Sequence, residues 1–328
     1  MRKTANYTLD SSERVLAEEI RSIADHYNKD NISRTDAYFD YYQSHPDIQW
    51  AFLASMVSRN AGWNMCDLEE ASLTCLLGPE IRERLFLTYE RANWLIFSDA
   101  FPQLLLYEYS TKKNSPMFHL LPFFHVSSFM EAEWNRYWRG GDRQRLMTAL
   151  IINEQNLIQR PVIEHPVYKK RVFHSLFFSI QDWMHFSSVL FPTCSGRLYG
   201  ASVKKFRKTD ERIKLGKRLA RILFSPILFP EFLKFAGKVP HTGSRADYEK
   251  FLNVGTGRAM QTLKDTYPII SHHIHESHDW SKERRTNPDW FAEEGKIKEP
   301  VLMTEWFLHK QRQLERAAGI KKFICFKS

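Results

Sequence analysis

The chain has 328 residues, 43% hydrophobic and 26% charged, with a net charge of +9, a balance that excludes global disorder and suits a globular protein. Its 24 Phe, 13 Tyr and 9 Trp supply a sizeable core, whereas 13 Gly and 14 Pro are few for a many-stranded sandwich or barrel. The expectation is an all-α protein: a compact bundle of about ten or more helices with little or no sheet.

The first predicted helix spans residues 11–27. Asp10 caps it with Glu13 three positions on, and Leu16, Ile20, Ile23 and Tyr27 recur on one face. A short aromatic helix follows Thr35. Pro46 opens the next, predicted over about 47–60, which buries Ile48, Phe52 and Met56 and ends at Gly62. After Gly78-Pro79 a long helix runs to about Ala100 with Leu85, Tyr89, Ala92 and Ile96 as its stripe, and Pro102 ends or kinks it. Residues 110–127, with Pro116 and Pro122, read as a loop. Helices over about 128–140 and 142–160 meet at Gly140-Gly141, and Pro161 closes the second. Residues 166–191 are helical in period and apolar nearly all round, which predicts a central buried helix. A loop at 193–202 leads into a basic helix over 203–224, then a Pro-punctuated apolar patch at 225–236, weaker helices, and a final helix at about 303–317. These elements predict one large helical domain over 1–328, with candidate subdomain junctions near 110–127 and 193–202.

Cys66, Cys75, Cys194 and Cys325 show no CxxC spacing and no disulfide framework, so free thiols in a reducing compartment are expected. The start, MRKTANYTLDSSERV, lacks the apolar run of a secretory signal. No stretch approaches the ~18 apolar residues of a membrane span. A cytoplasmic protein is the expectation. Neither a metal box nor a cofactor-binding motif can be read from the chain.

HPDIQWAFLASMVSRNAGWNMCDL, residues 45–68, with NKDNISRTDAY, residues 28–38, resembles the N-terminal region of the YppC-like proteins. That bacterial family is described only as a domain of unknown function. The resemblance implies a cytoplasmic bacterial protein and carries no activity, cofactor, partner or catalytic residue with it.

Four segments hold candidate sites. In the N-terminal third, Arg34, Arg59, Asn60, Trp63 and Asn64 crowd a short apolar helix. Arg59 and Asn60 suit a helix C-terminus, where a cation meets the dipole and Asn takes a left-handed cap. The functional alternative is a pocket in which Arg34 and Arg59 clamp an anion. In the apolar helix, His174, Gln181 and His185 share a face with Asp182 beside them. A carboxylate orienting an imidazole is the minimum of an acid–base pair, and a satisfied polar seam is the structural alternative. His272, His273, His275 and His278 with Glu276 could meet a divalent metal, but they fit no named arrangement, and solvated loop histidines are the favoured reading.

The fourth segment, residues 204–221, holds Lys204, Lys205, Arg207, Lys208, Arg212, Lys214, Lys217, Arg218 and Arg221 against Asp210 and Glu211. Its net +7 leaves only about +2 for the rest of the chain. Leu215, Leu219 and Ile222 form a stripe opposite these charges, with Phe224, Phe229 and Phe232 following. This is the pattern of an interfacial helix, or of a solvated face whose stripe is core. The leading expectation is a non-enzymatic protein docking through 204–221 to an anionic membrane surface or acidic partner. Nucleic acid is a further candidate partner, since phosphate contacts alone need no reading motif. The alternative is an enzyme built on His174, Asp182 and His185, or on Arg34 and Arg59.

Overall fold

Local capping sets the first helices. The structure, a computed structural model, describes residues 9–164, 188–203, 205–252, 261–273, 279–293, 295 and 301–327. Helix α1 (Ser11–Tyr27) begins at the expected box: Asp10 accepts from the Glu13 amide while the Glu13 side chain accepts from the Asp10 amide. Asp30 caps α2 (Asn31–Ser44) by accepting from the Ser33 amide. Helix α3 (Gln49–Asp67) is buried almost throughout its length, with Trp50, Phe52, Met56 and Trp63 enclosed. It does not end at Gly62. That glycine lies inside the helix, at a point where a Cβ would sit 2.3 Å from Asn31 Oδ1 and 2.7 Å from His241 Nε2, so close packing and not chain termination calls for glycine here.

After α4 (Ala71–Leu76), α5 runs unbroken over Pro79–Lys113. Pro102 neither ends it nor opens the expected break before 110. Proline removes the amide that would bond the Ser98 carbonyl, yet Phe97, Phe101, Leu104 and Leu106 on either side are core residues, and their burial outweighs one lost ladder bond. The region expected to be a loop is the last turn of α5 followed by a 3₁₀ segment, Phe118–Phe124. Helices α6 (Ser128–Gly140) and α7 (Arg143–Leu157) meet at Gly141, which takes the left-handed conformation at φ 65°.

The predicted apolar helix over 166–191 falls mostly outside the described residues, but its end does not continue as helix. Ser188–Pro192 forms β1, antiparallel to β2 (Leu198–Ser202), in the register Ser188↔Ser202 to Pro192↔Leu198. Val, Leu and Phe ahead of a proline suit an extended, buried strand. Strand β2 occupies much of the expected loop at 193–202, and Tyr199 makes a further bridge to Leu302. This two-stranded sheet is the only one among the described residues.

Helix α8 (Thr209–Leu223) starts later than the predicted basic helix, and α9 (Phe229–Lys238) occupies the apolar patch, with Phe232 and Phe235 in the core. Short helices α10 (Ala246–Glu249), α11 (Leu263–Thr266) and α12 (Trp280–Glu283) and a 3₁₀ turn at Pro288–Phe291 follow. The last helix, α13 (Thr304–Lys327), extends well past the expected end. One apolar cluster joins residues from Leu16 to Phe307, with α3 running through it. Among the described residues no helix is long and apolar enough to cross a membrane.

Candidate functional site

Helix α3 carries an unusual load of polar side chains into the interior, and each closes on another element. Arg59 is mid-helix, not at the end of its own helix. Its Nη1 donates to the Val239 carbonyl at 2.8 Å and its Nη2 to the Ala236 carbonyl at 3.1 Å. These are end carbonyls of α9, so the cation caps a helix far away in sequence. Asn60 serves as a piece of strand: its Nδ2 donates to the Ser188 carbonyl at 3.1 Å and its Oδ1 accepts from the Leu190 amide at 3.0 Å. Asn64 Oδ1 accepts from Arg245 Nη2 at 2.9 Å, while Arg245 Nε meets Asp67 Oδ2 at 2.6 Å.

Trp63 points to a carboxylate that composition and spacing did not single out. Its Nε1 donates to Asp247 Oδ2 at 2.9 Å, and Thr242 adds its amide at 3.1 Å and its hydroxyl at 2.6 Å. His241 lies beside them, with Nδ1 facing Asp247 Oδ2 at 3.4 Å. Its Nε2 is 2.8 Å from Asn31 Oδ1. Asn31 spends its own donor on Ser58, at 2.9 Å to the carbonyl and 3.0 Å to the hydroxyl, so His241 Nε2 carries the hydrogen. Burial, the largest influence, holds the His241 pKa below its usual value despite the neighbouring carboxylate. For Asp247 burial pushes upward, but the contacts from His241, Thr242 and Trp63 outweigh it and leave the carboxyl below its ordinary range. The result is an imidazole and a carboxylate in one enclosed network that fastens α3 to residues 241–249.

Arg34 belongs to a second network. Its Nη2 reaches both oxygens of Glu90, at 2.6 Å and 2.5 Å, and its Nη1 donates to Asn28 Oδ1 at 3.1 Å. His272 Nε2 lies 3.8 Å from the same carboxylate, with its ring against Trp94. Arg34 and Arg59 therefore do not converge on a shared anion site. Each is buried, one against Glu90 and the other against α9. His272 and His273 are also separated in use, since His273 is exposed and its carbonyl accepts from Arg91. His275 and His278 lie outside the described residues, as do His174, Asp182 and His185. Among the described residues no three metal-ligating side chains come together.

The basic segment divides under the fold. Arg212 is interior: its guanidinium donates to the Gln155 carbonyl and Oε1, to Gln159 Oε1 and to the Phe206 carbonyl, at 2.6–3.0 Å. Burial pulls its pKa down to about 10. It is no anion contact. Lys217 Nζ donates to the Ala292 carbonyl at 2.6 Å and Arg221 Nη1 to the Gly295 carbonyl at 2.8 Å, while Arg218 bonds the Ser202 carbonyl. Lys214 pairs with Glu211 at 3.1 Å. Arg207 is half-buried, Lys205 and Lys208 are exposed, and Lys204 lies outside the described residues. The flanking phenylalanines do not project: Phe232 is core, and Phe224 and Phe229 stack with each other and pack edge-on against Phe52. An insertion mode that relies on these three rings is therefore ruled out by their packing.

The missed residues, Glu90, His241, Arg245 and Asp247, sit in segments that look like ordinary charged helix or loop. Three of them, His241, Arg245 and Asp247, lie in the polar run HTGSRADYE, residues 241–249, and Glu90 lies far from it in the long helix α5. The chain matches the family model described as a protein of unknown function, DUF2515, over residues 26–307. It is 47% identical over 307 residues to the uncharacterized protein YppC of Bacillus subtilis (strain 168), covering 90% of this chain and 92% of that protein. No solved structure matches the chain.

Proposed function

We propose, for a chain that belongs to the DUF2515 family of proteins of unknown function, that it is a non-enzymatic protein docking reversibly on an anionic surface. One observation carries this reading: residues 204–221 hold +7 of the chain's +9. A concentrated patch raises the local potential and draws polyanions to it. The residues that fit the role are the exposed Lys205, Lys208 and Lys214, with Lys217 beside them. Arg212 is excluded by its burial. Near an anionic leaflet each such cation is worth ~1 kcal/mol, enough together for reversible attachment. The reading includes a cytoplasmic, peripheral location and needs no bound cofactor.

The test is co-sedimentation with phosphatidylglycerol-containing vesicles at low and high salt. Binding should weaken with salt, because exposed charges are screened over ~8 Å at physiological ionic strength. Lys205→Gln/Lys208→Gln/Lys214→Gln should lower the bound fraction with the melting temperature unchanged. Equal binding by this variant and the wild type would overturn the reading.

A further inference from the structure

Helix α13 has two faces of different fate. Phe307, Leu314 and Ala318 are buried. On that side Cys75 Sγ donates to the Ala318 carbonyl at 3.5 Å, and Lys321 Nζ donates to the Leu76 carbonyl at 3.3 Å. Both contacts fasten the helix to α4. Ile320, Phe323 and Ile324 then follow at i, i+3 and i+4. At ~100° per residue they centre roughly 150° round the helix from the packed side. They are 63%, 61% and 61% exposed. Isoleucine and phenylalanine belong to the residue types most often enclosed, so three largely exposed ones at helical spacing form an apolar surface stripe.

The same stripe carries charge. Arg312 and Arg316 are exposed and lie two turns and one turn before Ile320 on that solvent side. The whole of α13 holds Lys310, Arg312, Arg316, Lys321, Lys322 and Lys327 against Glu305 and Glu315, a net of +4. With the +7 of residues 204–221 the two segments reach +11 against +9 for the chain, which leaves the remainder at −2.

We infer that the end of α13 is an interfacial anchor that lays Ile320, Phe323 and Ile324 into an anionic lipid bilayer, with Arg312 and Arg316 on headgroup phosphates. A headgroup plane above an acyl layer offers anionic and apolar chemistry side by side, which is what this face requires. A second copy of the chain suits it less: parallel packing of two such faces sets Arg316 against Arg316. The inference shares its class of partner with the anionic-surface reading but rests on α13, so each stands or falls separately.

The experiment measures partitioning of the full chain onto phosphatidylglycerol–phosphatidylcholine vesicles and onto phosphatidylcholine alone, with light scattering for mass. Ile320→Ser/Phe323→Ser/Ile324→Ser is expected to lose tenfold or more of the partition coefficient at an unchanged melting temperature. The conservative Ile320→Leu/Phe323→Trp/Ile324→Leu keeps it. Arg312→Gln/Arg316→Gln loses binding to the anionic vesicles and leaves the weaker binding to neutral ones as it was. If the lysine variant of 204–221 binds normally while the serine variant does not, the anchor stands and the α8 reading falls. If the serine variant partitions like the wild type, the anchor falls. It also falls if the wild type is a dimer that the serine variant converts to monomer, since a second copy then covers the face.

Discussion

Both carboxylate oxygens of Glu90 lie against a single nitrogen of Arg34, at 2.6 Å and 2.5 Å, where neither residue is open to solvent. Burial raises the Glu90 pKa, and contacts from His272 and Arg34 more than reverse that, leaving the carboxyl below its ordinary range. Removing one partner strands the other charge in the interior. Glu90→Gln or Arg34→Met should therefore destabilise the fold by about 3–5 kcal/mol, whereas replacing both with apolar side chains should recover much of that loss. Urea unfolding of the singles and the double decides the matter. A double variant whose loss equals the sum of the two single losses would show that the pair is not coupled.

Gly62 sets helix propensity against packing. Alanine is favoured over glycine in a helix by ~1 kcal/mol, so propensity alone predicts a gain. The approach of Asn31 Oδ1 and His241 Nε2 predicts the opposite, because a Cβ has no room between them. Gly62→Ala should lower stability by about 2 kcal/mol, the scale of an overpacked core. A raised melting temperature would mean that Asn31 and His241 move aside freely.

Asp99 gives the fold a slope with pH. Gln103 and Asn153 both donate to its Oδ1, at 2.6 Å and 2.5 Å. Burial, the largest influence, pushes its pKa up to about 7 against these bonds. A folded pKa raised above the unfolded value means that its stabilisation is complete below ~4 and disappears as pH rises through about 7. By then the ionised group costs on the order of 4 kcal/mol. Asp247 and Asp279 are shifted the other way and act only on the acid side. Between pH 5 and pH 8 the wild type should lose stability relative to Asp99→Asn, which cannot ionise. Parallel stability curves for the two proteins would sink this expectation.

The basic segment should respond unevenly to neutralisation. Arg212→Gln strands the Gln155 and Phe206 carbonyls in the interior, so a loss of about 2–3 kcal/mol is expected. Lys205→Gln/Lys208→Gln touches exposed positions and should stay within about 0.5 kcal/mol. Thermal unfolding separates them. Equal losses would mean that the charge of the segment, rather than the bonds of Arg212, sustains the fold.

The elements readable from the chain are those whose signals act within one turn. The Asp10–Glu13 box, the left-handed Gly141 and the stripe of α1 lie within a few residues of the boundary or face they decide, so sequence alone placed α1, α6 and α7 nearly as they are. The crowding of polar groups around Arg34, Arg59, Asn60, Trp63 and Asn64 was equally visible, but not what those groups bind. Arg59 caps carbonyls 177 and 180 residues away, and Trp63 meets a carboxylate 184 residues away. Gly62 and Pro102 carry local signals to stop a helix, and burial of α3 and α5 overrides both. The basic segment shows the same division. Its charge is a property of composition, but the depth of Arg212, the packing of Phe232 and the exposure of Ile320, Phe323 and Ile324 were decided only when distant helices closed on one another. Solvent exposure depends on which surfaces meet, and that is not a local property of the chain.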